Sequence, residues 1–348
     1  MRFFIGLLLF SCLALSGYSQ LGGSYTYSFL DLTNSARVAS LGGKTNAIWD
    51  DDLNLPFQNP ALLNSEMKNH LVLNYVNYFT DINYGYVSYA NTIDKVGNVA
   101  AGLHFINYGE FIAADHLGNK TGTFTASEYA LNLIWSKSYD SLFHFGINVK
   151  PVYSSMERYR SFGIVADIGL TYTGREKLFV ASIVMRNIGY QIKPYHDQNR
   201  EPMPFEIQMG MSQKLKHAPF RFSAVFHNLQ QFDLTYKTEQ STSDFDPLTG
   251  EPIEENKIEK FADQMMRHVI FGVEFIPVEN FYIRAGYNYQ RRMELKLDTR
   301  TAMVGFSWGF GLKIYKFHLS YGRASYHLAG ASNHFSLSTN LSSFYTRR

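Results

Sequence analysis

Cysteine is nearly absent from this 348-residue chain: Cys12 is the only one. Disulfide frameworks and cysteine-ligated zinc are therefore excluded as organising features. Net charge is also small, +2 at pH 7 with 18% charged residues, and no basic cluster is present, which argues against nucleic-acid binding. After the first apolar run, no stretch reaches the roughly 18 consecutive apolar residues that a membrane-crossing helix needs. The eleven histidines include no H-E-x-x-H spacing, so neither a metal nor any other cofactor is expected.

Aromatic residues are abundant, with 24 Tyr and 28 Phe in a chain that is 45% hydrophobic. Residues 1–19 read as a secretory signal: Arg2 supplies the charge, Phe3 to Leu15 the apolar core, and Ser16 to Ser19 small residues for cleavage. A lipoprotein reading would acylate Cys12, but Phe10 is bulky just upstream and the apolar run continues past it. Export with cleavage near Ser19 is the expectation.

From His70 onward the pattern has period two. Successive side chains of a strand point to opposite faces, so a wall between lipid and a polar interior needs alternate apolar residues. Phe143, Phe145, Ile147 and Val149 alternate with His144, Gly146, Asn148 and Lys150. Phe205, Ile207, Met209 and Met211 alternate with Glu206, Gln208, Gly210 and Ser212. Phe281 to Gln290 and Tyr315 to Gly322 do the same, while Val180 and Val184 blur the polar face of 179–188. Strands are predicted near 70–79, 82–92, 96–106, 125–137, 142–154, 159–173, 178–188, 203–214, 219–227, 267–276, 280–291, 301–311, 313–323 and 333–342. Most are close to the roughly 9–11 residues that cross a bilayer obliquely. Fourteen is an even number, as a closed antiparallel transmembrane β-barrel requires when both ends lie on one side.

Connections sort by parity. Those after even-numbered strands are short, the last being placed at Leu312; the long ones, near 107–124, 189–202 and 228–266, follow odd-numbered strands. Short turns at one rim and long loops at the other characterise outer-membrane barrels. A secreted β-sandwich also alternates, but has no reason to segregate loop lengths, and its wet face would carry more charge. The insert 228–266 is read as a surface loop. Its part from Glu239 to Asp263 holds eight acidic and two basic residues, and a short helix is expected near Glu254 to Met265. A loop of this length is either a partner-binding feature or a solvated charged segment.

The segment 20–68 differs from the strands. Ala36 to Leu63 contains Arg37, Leu41, the pair Gly42 and Gly43, the run Asp50, Asp51 and Asp52, and Asn59-Pro60. It is expected to plug the barrel formed by 69–348. The aspartates could bind a cation, but capping or salt bridges from plug to wall are the preferred roles. Partners would be the inward cations Lys150, Arg186, Arg221, Arg284 and Lys316; Asp167, Glu206 and Glu274 are the inward acids.

Three motifs imitate catalytic ones. Gly305-Phe306-Ser307-Trp308-Gly309 matches G-x-S-x-G but lies within a strand, with Ser307 facing the lumen and no helix following. Ser65-Glu66-Met67-Lys68 and Lys120-Thr121-Gly122 match two parts of the penicillin-binding set, with no S-x-N between and Lys120 in an expected loop. Asp244 to Gly250 begins like a calcium loop but has Leu248 and Thr249 where a ligand and a glycine belong. No catalytic residue is assigned.

Phe29-Leu30, Ala36-Arg37, Leu41-Gly42-Gly43, the aspartate run and Asn59-Pro60-Ala61-Leu62 resemble the N-terminal signature of the PorV/PorQ family, which is similar to fourteen-stranded fatty-acid transporter barrels. The form Asp52-Leu53-Asn54-Leu55-Pro56-Phe57-Gln58-Asn59-Pro60-Ala61-Leu62-Leu63 looks most like the PorQ branch. The motif covers residues 28–63; over the rest, the resemblance is one of architecture. It implies a non-enzymatic outer-membrane role in the type IX secretion attachment complex. Its implied partners are PorV, the sortase PorU and a PorZ-like surface protein that helps attach cargo to lipopolysaccharide. Outer-membrane strands often end on an aromatic residue, whereas here Phe344-Tyr345 is followed by Thr346-Arg347-Arg348. The competing expectation is an outer-membrane transporter for hydrophobic small molecules. It would need an apolar lumen pocket, and the inward residues read as mostly small or polar.

Overall fold

The computed structural model describes residues 25–196, 199–235, 257–278, 280–295, 303–327 and 330–345. The expected signal segment, the calcium-like stretch 244–250 and the last three residues lie outside these. Fourteen antiparallel strands pair each with the next, and the first pairs with the last, closing a barrel. They are β1 (His70–Phe79), β2 (Ile82–Ile93), β3 (Gly97–Ala114), β4 (Lys120–Ser138), β5 (Phe143–Met156), β6 (Tyr159–Thr173), β7 (Phe179–Lys193), β8 (Glu206–Lys214), β9 (Phe220–Phe226), β10 (Val269–Val278), β11 (Phe281–Asn288), β12 (Phe306–Ile314), β13 (Phe317–His327) and β14 (Gly330–Asn340). Among the described residues three α-helices accompany them: α1 (Ala36–Ser40), α2 (Lys257–Arg267) and α3 (Tyr289–Leu295).

Closure satisfies the backbone donors and acceptors of every strand and leaves no sheet edge, which a wall in hydrocarbon demands. Side-chain alternation follows. Along β5, His144, Gly146, Asn148, Lys150, Val152 and Ser154 are buried, while Phe143, Phe145 and Tyr153 lie on the outside. Leu131, Leu133, Leu170, Phe222, Phe271, Ile283, Trp308, Leu319 and Phe335 continue that outer surface around the barrel. So large an exposed apolar surface is a liability in water and the normal solution in lipid.

The parity of the connections holds. Even-numbered strands are followed by the short links 94–96, 139–142, 174–178, 215–219, 279–280 and 315–316. The extended ones, 194–205, 227–268 and 289–305, all follow odd-numbered strands.

Several strand boundaries and one register differ from the sequence reading. The expected loop 107–124 is mostly a ladder: β3 and β4 continue pairing to Ala114 and Lys120, so Lys120 opens a strand. β11 stops at Asn288 and turns into α3. The last short turn is Tyr315-Lys316, with Tyr315 at φ 55. Lys316 therefore sits at the rim, its ammonium 4.7 Å from the Phe344 ring centre, and does not face the lumen. On β7, Val180 and Val184 are inward and buried. A register shift opposite Ala166 and Ile168, with Asn187 at φ 57, turns both Arg186 and Asn187 inward. Helix α2 appears where one was expected, beginning at Lys257.

Residues 25–69 occupy the lumen. Tyr25 to Ser28 lie beside Tyr108, Met156, Tyr159 and Tyr195, at the rim of the long connections. At the other end, the Leu63 carbonyl accepts a hydrogen bond from Ser136 near the end of β4, and Glu66 pairs with Lys177 in the link 174–178. The segment thus runs the length of the barrel before entering β1. Three apolar clusters seat it. Phe29 and Leu30 pack against Val76, Tyr84, Ile106 and Val165; Leu53, Phe57, Leu63 and Met67 against Val72, Tyr86, Ala90 and Ile134; Leu41, Ile48, Leu55 and Leu62 pack together within it. The inner surface is thus more apolar than the alternation implied, and the leading segment covers that apolar part.

Candidate functional site: the plug and its anchorage

Helix α1 is short, and its local determinants are visible. The Ser35 side chain caps it by accepting from the Val38 N–H. Gly42 and Gly43, at φ 95 and 98, end it, with the Gly43 N–H returning to the Val38 carbonyl. No other residue takes two successive positive φ values so readily. The sharp stop aims the side of α1 that carries Arg37 at β9, β10 and β11.

There the chain builds a six-membered ion cluster. Arg37 donates from Nε to Glu274 Oε1 at 2.9 Å and from Nη2 to Glu274 Oε2 at 3.0 Å. Its Nη1 reaches Asp50 Oδ1 at 3.0 Å and Asp52 Oδ2 at 3.1 Å, and Nη2 reaches Asp50 Oδ2 at 2.7 Å. From the wall, Arg221 Nη1 bonds Asp50 at 3.0 Å and Glu274 at 2.7 Å, and Arg284 Nε bonds Glu274 at 2.8 Å. The sheet register makes the wall part: Glu274 lies directly opposite Arg221 on one side and Arg284 on the other. Three arginines face three carboxylates, so the cluster is neutral. Buried charge is tolerated in this form, paired and hydrogen-bonded, although Arg284 Nη1 is buried without a partner. Burial works against the Arg37 charge, but Asp50, Glu274 and Asp52 outweigh it and hold the guanidinium well above its ordinary value. Burial likewise pushes the Asp50 carboxyl up, and Arg37 with Arg221 brings it down to about 2.

Two further anchors lie nearby. Lys44 of the plug pairs with Glu206 at 2.5 Å. On the wall, Lys150 meets Asp167 at 2.6 Å, and both engage Asn187, which donates to Asp31 of the plug at 2.9 Å. Burial raises the Asp31 carboxyl, and the nearby Lys44 opposes that. Arg186 donates to Gln58 Oε1 and to the Leu30 carbonyl, both at 3.3 Å.

Neutral contacts complete the fit. Asn59 caps the turn Pro60–Leu62 through Ala61 N–H, and its amide donates to the Asn46 carbonyl and to Thr171. Ser307 accepts from the Gly42 N–H and donates to the Ser40 carbonyl, each at 3.0 Å. It faces the lumen, as expected, and is spent on holding the plug. Inward glycines let backbone meet backbone: a Cβ on Gly146 would overlap Pro60, and one on Gly286 would overlap the Gly42 nitrogen. At the seam between β1 and β14, the Ser336 hydroxyl accepts from the Ala36 N–H at 2.9 Å and donates to Asn74 at 2.5 Å. Asn74 in turn donates to Asn54 at 2.6 Å.

Of the five cations expected to meet the aspartate run, Arg221 alone bonds it. Arg284 reaches the same cluster through Glu274, Lys150 and Arg186 anchor other parts of the plug, and Lys316 is elsewhere. Asp51 is exposed, and its carbonyl lies 3.0 Å from His70 Nδ1. Lys44, Asn46, Asn54 and Ser336 were not singled out from sequence. The recurrence of asparagine at 46, 54, 59, 64 and 69 was the available signal, since side-chain amides suit a lumen that must satisfy irregular backbone.

No protein-family model matches the chain, and no curated protein does. Solved structures do match in fold. The toluene transporter TbuX of Ralstonia pickettii is 11% identical, with a TM-score of 0.52, over 90% of this chain and 100% of that one. The toluene transporter TodX of Pseudomonas putida is 14% identical, with a TM-score of 0.53, over 89% and 99%. The likeness extends along the whole barrel and is one of fold.

Proposed function

We propose that this chain is a closed outer-membrane platform of the type IX secretion attachment complex, non-enzymatic, that holds a PorZ-like surface protein. In this reading it works beside PorV and the PorU sortase while cargo is joined to lipopolysaccharide. The observation that carries the closed-platform part is the filled lumen: residues 25–69 run from rim to rim, clamped by the neutral cluster of Arg37, Asp50, Asp52, Arg221, Glu274 and Arg284. So heavily bonded a stopper opposes free diffusion through the lumen, and a lipid-embedded mount for a partner gains stiffness from it. The type IX assignment rests on the resemblance over residues 28–63. Affinity capture of the full chain from non-ionic detergent, with mass spectrometry of what accompanies it, tests the assignment. A PorZ-like protein is expected, and it should be lost when 240–262 are deleted. Its absence from the intact chain's complexes refutes the partner.

A second reading, transport of hydrophobic small molecules, is favoured by the fold shared with two toluene transporters. Uptake of labelled toluene or fatty acid that depends on this protein would establish it. Stable single-channel conductance in planar bilayers would count against the closed platform.

A further inference from the structure

The long-loop mouth carries a cavity of about 360 Å³ that the plug anchorage does not use. Its wall is mainly aromatic and acidic: Tyr25, Tyr108, Tyr159 and Tyr195 surround Glu128 and Glu201, His196 lies against Tyr159 with ring centres 5.0 Å apart, Arg158 stands 5.2 Å from the Tyr159 ring centre, and no lysine or arginine is among the described lining residues. Glu128 is 2% exposed. It accepts from the Tyr108 hydroxyl at 2.6 Å, and no cation pairs with it among the described residues. The other inward carboxylates of the wall, Glu206, Glu274 and Asp167, each have a lysine or arginine partner. A carboxylate taken out of water without a counter-charge is destabilised, and either a cation or a proton relieves it. Tyrosine faces attract cations through the ring quadrupole, more strongly when the site is desolvated. The phenols are also fixed: the Tyr195 hydroxyl donates to Ser154 at 2.5 Å, and Tyr27 bonds Ser161 at 2.5 Å. These rings are therefore held in position before any ligand arrives.

We infer that this mouth cavity binds a small organic ammonium ion, its charge against Glu128 and its carbon frame against the tyrosine rings. The volume lies at the lower end of small-molecule sites, which suits an aryl- or alkylammonium of modest size. The inference is independent of the type IX reading, since it concerns the open mouth and not the partner.

The experiment is isothermal titration of the full chain in dodecyl maltoside, a detergent without an ammonium group, using phenethylammonium chloride as probe and 2-phenylethanol as its neutral counterpart. Saturable binding of the ammonium is expected, with the alcohol at least about tenfold weaker. Glu128→Gln should weaken the ammonium by a similar factor and leave the alcohol unchanged. Tyr159→Ala should weaken both. Equal binding of the two probes would overturn the inference, as would a Glu128→Gln protein that keeps full affinity. Lack of saturation by the native chain up to about 10 mM would also overturn it. If Glu128→Gln does not fold, judged by heat-modifiable mobility, Tyr159→Ala replaces it. A Tyr159→Ala protein that lowers the affinity of both probes supports the inference; one that keeps full affinity for the ammonium overturns it.

Discussion

Replacing Arg37 with Met keeps the length and apolar stem of the side chain and removes its charge. Five hydrogen bonds to Glu274, Asp50 and Asp52 disappear. Three carboxylates are then left facing Arg221 and Arg284. Breaking a buried pair from one side destabilises by ~3–5 kcal/mol, because an uncompensated charge stays behind. That corresponds to a factor of about 10² to 4 × 10³ in the docking equilibrium. The loss falls on the plug, because the strand ladder that closes the wall is untouched. The Arg37→Met barrel is therefore expected to keep its heat-modifiable mobility while residues 25–69 become open to protease and bilayer recordings show ion current. Removing Asp50 as well, as Asp50→Asn, leaves Glu274 and Asp52 against Arg221 and Arg284. It should recover part of the loss, with a coupling of roughly 0.5–3 kcal/mol in the double-mutant cycle. An Arg37→Met plug as protease-resistant and non-conducting as the native one would refute the clamp.

Acid should loosen the plug. The Asp50 carboxyl ordinarily titrates at 3.8 and is held here at about 2, so its contribution is complete above about pH 4 and fades as pH falls towards 2, by about 2 kcal/mol. Protease protection followed against pH checks this, and a loss confined to neutral or alkaline pH would contradict it. Gly146→Leu and Gly286→Val place side chains where Pro60 and Gly42 sit. Overpacking of roughly 1–3 kcal/mol or more should displace the plug while the barrel persists, read from mobility together with conductance. Ser307→Ala loses its bonds to Gly42 and Ser40 and should cost about 1–3 kcal/mol in thermal unfolding. It should leave hydrolysis of a nitrophenyl ester at the native level, and a specific fall in hydrolysis would contradict the purely structural role of Ser307.

Much of the wall was legible because lipid outside and a wet lumen inside impose opposite demands on neighbouring side chains. β5 and β8 follow the alternation read from Phe143 to Lys150 and from Phe205 to Ser212. The strand expected to continue past Asn288 fails because Tyr287 and Tyr289 keep the alternation going into α3, and periodicity alone cannot sense that pairing has stopped. The Tyr315-Lys316 turn has neither glycine nor proline to mark it, and Lys316 was misplaced for that reason. Polar composition likewise hid the ladder from 107 to 124. The cluster was half visible. Arg37, the aspartates and the wall charges could each be named, but Arg37 and Glu274 lie 237 positions apart, and only the barrel register brings Arg221, Glu274 and Arg284 side by side.

The seam has a consequence for biogenesis. Asn74 of the first strand and Ser336 of the last join each other and also grip Asn54 and the Ala36 N–H between them. Seating the leading residues therefore gives the two terminal strands contacts that an empty cylinder would lack. A truncation there should impair insertion before it alters permeability.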